Sequence, residues 1–222
     1  MKALIVTGGT TDPAFTLQMI EKENYDRKIA SDSGMHFYYK SGIRPDLVVG
    51  DFDSADPDIL AFYEKDPQVE IERLNPIKDD TDTEHAIRRA IAEGAEEIAV
   101  FGATGTRIDH ILGNISLLGI GPEHKVSLYM IDPYNRIRLL GPGLHRLKKE
   151  QQFGSFVSLI PYGGEACGVT LTGMKYPLLD YTMGGFNSLG ISNEITEEEA
   201  VIELKAGYLL MIESRDSFFV EK

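Results

Sequence analysis

Residues 1 to 131 alternate short apolar runs with stretches in which apolar residues recur at helical spacing. The stretches predicted to be helices are Ala14–Lys22, Met35–Ser41, Pro57–Tyr63, Thr83–Glu93 and Ile111–Leu118. The runs predicted to be strands are Lys2–Thr7, Lys28–Ser31, Leu47–Val49, Val69–Leu74, Ile98–Phe101 and Val126–Ile131. Such alternation is typical of βαβ units with right-handed crossovers. It predicts an α/β domain over residues 1–131, built on a mostly parallel sheet.

The pattern changes after about residue 135. The strand-like runs of this part are Asn135–Leu140, Phe153–Pro161, Gly168–Thr172 and Ala200–Glu213. They are separated by turns rich in glycine and proline, and no helical pattern interrupts them. This part therefore predicts a small antiparallel β-sandwich or barrel over residues 135–222. The basic run LHRLKK at 144–149 is interpreted as a solvated turn or the end of a strand.

The net charge of the chain limits the kinds of ligand and macromolecule that it is expected to bind. The formal net charge is −13 and the sequence pI is near 4.8, which argues against general binding to nucleic acid, because phosphates require a basic surface. A nucleotide substrate screened by a metal ion, or a cationic ligand, remains compatible with this charge. The N-terminal apolar run is too short for a signal peptide, and no run of about 18 apolar residues predicts a membrane span. The expected location is the cytoplasm.

Polar side chains cluster where four successive strands of the predicted sheet end. These residues are Asp32 after the second strand, Asp51 and Asp53 after the third, Lys78, Asp79, Asp80 and Asp82 after the fourth, and Arg107, Asp109 and His110 after the fifth. Because parallel strands end at one edge of a sheet, where ligands bind, these side chains are expected to converge. Crowded carboxylates raise one another's pKa unless a cation joins them, and Mg²⁺ prefers such oxygen ligands. The convergence indicates metal-assisted phosphoryl chemistry, with Arg107 neutralising charge on the phosphates.

Helix capping is the alternative interpretation of each cluster. Asp53-Ser54 or Asp56 can cap a helix that begins near Pro57, and Asp109 can cap one that begins near Ile111. Thr81 and Glu84 have the spacing of a capping box. Capping alone does not require two carboxylates at one corner, nor does it explain Arg107.

The glycines after the first and fifth strands would let backbone amides approach phosphates. These are Gly8-Gly9 and the segment from Gly102 to Gly105. The sequence has neither a P-loop nor a complete GxGxxG motif, so the usual signals of nucleotide-binding folds are absent from it.

Seven segments, in this order, carry a resemblance to a known family. They are SDSG at 31–34, PDLVVGDFDS at 45–54, KDDTDTEHAI at 78–87, GATGTRIDHILGNISLL at 102–118, SLIPYG at 158–163, GMKYPL at 173–178 and SLGISNE at 188–194. The chain resembles the bacterial thiamine pyrophosphokinases over nearly its whole length. The resemblance implies a Rossmann-like α/β domain followed by a β-sandwich, and a homodimer with active sites at the interface.

The resemblance also implies a reaction and the residues that serve it. The thiamine hydroxyl attacks the β-phosphorus of Mg·ATP, giving thiamine diphosphate and AMP, as expected of an ATP-binding thiamine diphosphokinase. The residues implied for magnesium are Asp51, Asp53 and Asp82; those implied around the nucleotide are Asp32, Lys78, Asp79, Thr104, Arg107 and Asp109; those implied for thiamine are Ser188, Ser192 and Asn193. The proposed catalytic residues are Asp51, Arg107 and Asp109.

Four questions stay open at this point. Either Asp51 or Asp109 accepts the hydroxyl proton, and the aromatic Tyr176 either stacks on a ligand or belongs to the sandwich core. The acceptor is thiamine or a related hydroxymethyl heterocycle. A protein that only binds nucleotide or thiamine is the alternative to an enzyme, and an enzyme would lose turnover on replacement of Asp53 by Asn.

Overall fold

The α/β part of the chain is built on a parallel sheet of six strands. In this computed structural model, which describes residues 1–53, 55–75 and 80–216, the strands are β1 (Lys2–Val6), β2 (Arg27–Ser31), β3 (Leu47–Gly50), β4 (Glu70–Arg73), β5 (Glu97–Phe101) and β6 (Ser127–Ile131). Their order is β4-β3-β2-β1-β5-β6, and each neighbouring pair is parallel. The order turns back at β1, so the carboxyl ends of β1 and β5 form the switch point where ligands bind in such sheets.

Helices connect these strands. They are α1 (Pro13–Lys22), α2 (Met35–Ser41), α3 (Pro57–Glu64), α4 (Asp82–Ala92), α5 (Ile108–Leu117) and α6 (Ile120–His124). The short α6 was not predicted. Two expected caps are confirmed: the Asp56 carboxylate accepts a hydrogen bond from the backbone N–H of Asp58 at 2.9 Å, and the Thr81 hydroxyl accepts one from that of Glu84 at 3.2 Å.

The predicted start of α5 was wrong. The helix begins at Ile108 rather than Ile111, so Asp109 lies inside its first turn and does not cap it. The physical reason is local, because the Asp109 carboxylate is already held by Arg107 and by the backbone N–H of His110.

The second part of the chain is entirely antiparallel where the structure describes it. Its strands are β7 (Asn135–Leu140), β8 (Gly143–Lys148), β9 (Phe156–Thr172), β10 (Leu178–Met183), β11 (Glu199–Leu204) and β12 (Ala206–Ser214). Their order is β7-β12-β9-β11-β8, with β10 also paired to β9. Between the two sets of strands that share β9 lies an apolar core that includes Leu159, Val169, Ile202, Leu209 and Met211.

The predictions for this part need four corrections. The LHRLKK run forms most of β8 and pairs with β11, so it is neither a turn nor a strand end. Two predicted strands are joined into the single 17-residue β9, which bends at Gly163 and Gly164, both at positive φ. The last predicted strand is divided at Lys205 into β11 and β12, and the edge strand β10 was missed because only Met183 of its residues is buried.

The chain divides into two compact units, Met1–Pro133 and Tyr134–Lys222. A mostly parallel α/β unit followed by an antiparallel unit is the predicted fold class, which is thereby confirmed. Within the described ranges, no helix has the length and apolar character needed to cross a membrane.

Candidate active site

Three carboxylates meet at the carboxyl edge of the parallel sheet. Asp32 follows β2, Asp51 follows β3, and Asp82 is the first residue of α4. One oxygen of each lies within 4.8 Å of the others, and all three side chains are partly buried. Carboxylates so close repel one another unless a cation lies between them, and hard divalent cations take oxygen ligands of this kind. The donor set therefore fits a magnesium ion.

Asp32 is brought to this point by an unusual backbone conformation. It begins a single 3-10 turn directly after β2 and has a φ of +50°, in the left-handed region that is uncommon for residues other than glycine. The neighbouring strand β3 ends in Gly50, where a Cβ would lie 3.1 Å from the Cα of Asp32. A side chain at position 50 would thus crowd the turn that carries Asp32.

The turn after β3 is also held in a left-handed conformation. Phe52 has a φ of +65°, and the backbone N–H of Asp53 donates to the Oδ1 of Asp51 at 3.0 Å. The Phe52 side chain is buried, and the guanidinium carbon of Arg73 lies over its ring, 5.3 Å from the ring centroid. Asp53 itself is exposed and lies outside the group of three carboxylates. This turn orients Asp51 through the backbone of Asp53. Residues that are held in sparsely populated conformations are common at functional sites.

A cavity of about 800 Å³ opens beside these carboxylates. Its walls come from the loops after β1, β2 and β5, from the first turn of α4 and from one side of α5 along its length, and they include Asp32 and Asp82. Gly8, Gly9, Gly102 and Gly105 supply much of the remaining lining. The cavity thus lies at the switch point of the sheet, where the predicted glycine segments come together.

Close packing explains why glycines occupy this place. A Cβ at Gly9 would collide with the carbonyl oxygen of Gly102, and Gly102 has a φ of +75°. A larger residue at either position would push apart the two loops that follow β1 and β5. The glycines let the two loops approach at the base of the cavity.

Arg107 and Asp109 form an ion pair at the start of α5. The Nη2 and Nε atoms of Arg107 donate to the two carboxylate oxygens of Asp109 at 2.6 and 3.2 Å. The hydrogen bond from Arg107 lowers the pKa of Asp109 to about 2, and the same bond raises the pKa of Arg107. Both side chains line the cavity and about two thirds of each is exposed. The pair presents a fixed positive and a fixed negative charge to a ligand.

The remaining residues predicted for the nucleotide have different positions. Thr104 lies partly buried in the loop after β5, next to cavity residues on both sides. Lys78 and Asp79 lie outside the described residues. Two cavity residues that the sequence did not single out are Thr7, directly after β1, and Asn114, in α5. Asn114 had one available signal, since it is a polar residue within the apolar pattern of α5.

The residues predicted for thiamine all belong to the second unit. Ser188 and Ser192 are exposed, and the backbone N–H of Ser192 donates to the Ser158 hydroxyl at 3.0 Å. Asn193 is buried, with 3% of its surface exposed. Its side chain accepts from the backbone N–H of Tyr176 at 3.0 Å and donates to the Tyr176 carbonyl at 2.9 Å. Asn193 therefore holds the main chain at Tyr176, whose side chain is 58% exposed and does not belong to the sandwich core.

Comparison with known proteins identifies the family. The model of the thiamin pyrophosphokinase catalytic domain matches residues 19–130, and that of the thiamin pyrophosphokinase vitamin B1 binding domain matches residues 144–209. The chain belongs to the thiamin pyrophosphokinase family. It is 34% identical to thiamine pyrophosphokinase of Bacillus subtilis (strain 168) over 189 residues, which cover 85% of this chain and 87% of the relative.

Solved structures of the thiamin pyrophosphokinase family have the same fold. Thiamine pyrophosphokinase from Bacillus subtilis matches with a TM-score of 0.86 and 31% identity, over 98% of this chain and all of the other. Thiamin pyrophosphokinase from Geobacillus thermodenitrificans matches with a TM-score of 0.84 and 30% identity, over 98% and 99% of the two chains. The predicted family is confirmed, and the predicted enzyme class, thiamine diphosphokinase, is that of the family.

Proposed function

We propose that this chain transfers the pyrophosphoryl group of ATP to the hydroxyl of thiamine, with Mg²⁺ bound, giving thiamine diphosphate and AMP. The observation that carries the proposal is the meeting of Asp32, Asp51 and Asp82 within 4.8 Å beside a glycine-lined cavity. Membership of the thiamin pyrophosphokinase family supports thiamine and ATP as the substrates.

Asp32, Asp51 and Asp82 would hold the magnesium ion. Bound there, Mg²⁺ would neutralise charge on the triphosphate oxygens and so favour attack at phosphorus. The sequence placed Asp53 in this role instead of Asp32. The geometry favours Asp32 for direct contact, and it favours Asp53 as the residue whose N–H orients Asp51.

The transfer forms one bond and breaks one. The hydroxyl oxygen of thiamine bonds to the β-phosphorus of ATP, the bond from that phosphorus to the oxygen that it shares with the α-phosphorus breaks, and AMP leaves with the electron pair. The chain contributes in-line positioning and charge, with Arg107 facing the phosphates. A carboxylate accepts the hydroxyl proton as the bond to phosphorus forms. The two candidates are Asp51 and Asp109: the hydrogen bond from Arg107 lowers the pKa of Asp109, and Asp51 would itself bind the magnesium ion.

The acceptor would be recognised through charge and through the second unit. The thiazolium ring of thiamine is a fixed cation, which a carboxylate-rich site on a chain of net charge −13 attracts. Ser188 and Ser192 have exposed side chains that are available to a ligand. Asn193 would act indirectly, because its side chain is engaged by the main chain of Tyr176.

We also propose that the chain works as a homodimer. Several large apolar side chains of the second unit are exposed, including Leu179 at 85% and the fully exposed Phe186. Neighbouring Tyr181, Leu189 and Ile191 are each more than two fifths exposed. Five large exposed apolar side chains within 13 positions of the sequence make this segment a candidate for a protein interface.

The test is a product analysis of the purified protein. Incubation with thiamine, ATP and Mg²⁺, followed by mass spectrometry, is expected to give thiamine diphosphate and AMP in equal amounts, and EDTA should abolish both. Thiamine monophosphate with ADP would contradict pyrophosphoryl transfer. A panel of hydroxymethyl heterocycles in place of thiamine tests the acceptor, and absence of any product would favour a protein that only binds.

A further inference from the structure

Two side chains hold consecutive carbonyl groups of the loop between β5 and α5. The hydroxyl of Thr7 donates to the carbonyl oxygen of Gly102 at 2.8 Å, and the side-chain amide of Asn114 donates to the carbonyl oxygen of Ala103 at 3.0 Å. Thr7 is 5% exposed and Asn114 is partly buried. Thr7 directly follows β1 and Asn114 belongs to α5, so the two donors lie on opposite sides of the loop in the sequence, and both line the cavity.

These two hydrogen bonds also determine the direction in which two backbone N–H groups of the loop point. The C=O and N–H of a trans peptide unit point in opposite directions, and the described residues contain no cis peptide bond. With the Gly102 carbonyl directed at Thr7, the N–H of Ala103 points away from Thr7. With the Ala103 carbonyl directed at Asn114, the N–H of Thr104 points away from Asn114. Two successive amide donors are thus oriented by two side chains.

The loop has little conformational restraint of its own. Gly102 has a φ of +75°, and Gly105 follows three residues later, so the unclamped segment would populate several backbone conformations. Carbonyl oxygens that turned toward the cavity would repel phosphate oxygens. Holding the carbonyls in hydrogen bonds removes this repulsion and reduces the entropy lost when an anionic ligand binds.

We propose that Thr7 and Asn114 are positioning residues that orient the Ala103 and Thr104 amides toward a phosphate group of the nucleotide. The proposal rests on the proposed function for the identity of the nucleotide, and it adds two residues that act through the backbone of the loop. Neither residue needs to contact ATP.

The experiment measures equilibrium binding of Mg·ATP by calorimetry in the absence of thiamine, together with the KM values for both substrates. Thr7→Val removes the hydroxyl at nearly constant volume, while the backbone bond from the Thr7 N–H to the Phe101 carbonyl, at 2.9 Å, keeps β1 and β5 paired. We expect Thr7→Val to weaken ATP binding roughly tenfold, the order expected for one lost orienting hydrogen bond. The KM for thiamine should change by less than about twofold, since the hydrogen bond from Thr7 acts only on the loop between β5 and α5.

Two further variants separate positioning from folding. Thr7→Ser keeps the hydroxyl and is expected to bind ATP as the wild type does. Asn114→Ala should repeat the effect of Thr7→Val, and α5 has no fully buried residue whose packing it would disturb. The control is Thr16→Val, because Thr16 is equally buried and its hydroxyl donates to the Asp12 carbonyl at 2.8 Å, outside the cavity.

The outcomes distinguish this proposal from the proposed function. Unchanged ATP binding in both Thr7→Val and Asn114→Ala would overturn the proposed positioning role of these two residues. An equal loss of ATP affinity in Thr16→Val would also overturn it. A wild-type protein that binds Mg·ATP but makes no thiamine diphosphate would overturn the proposed reaction and leave the binding comparison intact. A wild-type protein that binds no Mg·ATP would overturn both.

Discussion

At the scale of single residues, the candidate site depends on side chains whose backbones lie in sparsely populated conformations. Asp32 and Phe52 both have positive φ, and both belong to turns that directly follow buried strands. Such conformations cost about 1–3 kcal/mol each, so the surrounding structure must maintain them. Gly50 leaves room for the turn at Asp32 because it has no Cβ, and the Arg73 guanidinium packs over the Phe52 ring.

The first prediction separates Asp51 from Asp53. Asp51→Asn removes a charge from the carboxylate group and is expected to lower kcat roughly 10²- to 10³-fold, the range for losing one charge-stabilising group. Asp53→Asn keeps the backbone N–H that orients Asp51, so its effect should be about tenfold or less, in place of the loss of turnover expected from the sequence. Steady-state kinetics with Mg·ATP and thiamine measure both, with the exposed Asp58→Asn as control. Equal losses in the two variants would restore Asp53 as a direct ligand.

The second prediction concerns the charge of Asp109. Its pKa of about 2 is set mainly by the hydrogen bond from Arg107 and is below the ordinary value of 3.8. The ion pair is therefore complete above pH 3.8 and is lost as the pH falls through about 2. In Arg107→Gln the pKa of Asp109 should rise toward 3.8. Titration of the carboxyl carbon by NMR would measure the shift, and an unchanged pKa would contradict the assigned cause.

At the scale of secondary-structure elements, a network of ion pairs and hydrogen bonds joins α4 to the sheet. Its members are Arg27 of β2, Glu70 and Glu72 of β4, His85 and Arg89 of α4, and Glu93 at the end of that helix. Because α4 begins at Asp82 and β2 is followed by Asp32, these contacts help to fix the two elements that carry those carboxylates. Networks hold charged side chains more firmly than isolated surface pairs do.

The third prediction is the stability of Arg89→Met. The change removes ion pairs to Glu70 at 2.7 Å, Glu93 at 3.2 Å and Glu72 at 3.3 Å, and it should reduce the free energy of unfolding by about 1 kcal/mol, less at high salt. Arg88→Met is the matched control, since Arg88 lies on the same helix and forms an exposed pair with Glu84, one turn away. Its loss should cost under about 0.5 kcal/mol.

Glu70 determines the pH dependence of this difference. Burial opposes ionisation of Glu70, but hydrogen bonds from Arg27 and Arg89 together lower its pKa below 4.5. Its contribution is therefore present above pH 4.5 and is lost as the pH falls through the lowered pKa. Thermal unfolding of the wild type and both variants at several pH values measures this effect. The loss of stability in Arg89→Met relative to the wild type should become smaller in acid. A loss of stability that did not change with pH would exclude Glu70 as its source.

At the scale of the whole molecule, the exposed apolar surface of the second unit leads to the fourth prediction. If this surface forms the homodimer, light scattering at micromolar concentration should give twice the mass of 24.6 kDa. Leu179→Asp places a charge on the most exposed aliphatic side chain of β10 and should yield monomers with an unchanged circular dichroism spectrum. Leu144→Asp, on the exposed face of β8, is the control and should stay dimeric. A monomeric wild type would contradict the proposal.

The sequence by itself determined the class of fold, the positions of the acids and the family. A buried strand such as Leu47–Val49, followed by an acidic turn, can be recognised from the sequence alone. The reason is that hydrophobic periodicity and composition are local properties of the chain. Residues that follow successive parallel strands lie at one edge of the sheet, so the sequence predicts that the acids after β2, β3 and β4, Asp53 among them, converge there. The edge strand β10, which buries a single side chain, has no comparable local signal.

Only the tertiary structure decided which side chains meet. It brought Asp32 rather than Asp53 to Asp51 and Asp82, because left-handed turns at Asp32 and Phe52 redirect the side chains in a way that periodicity does not encode. It also engaged Asn193 with the main chain at Tyr176, seventeen positions away in the sequence. Hydrogen bonds of this kind depend on distance and direction in space, and local sequence patterns contain neither.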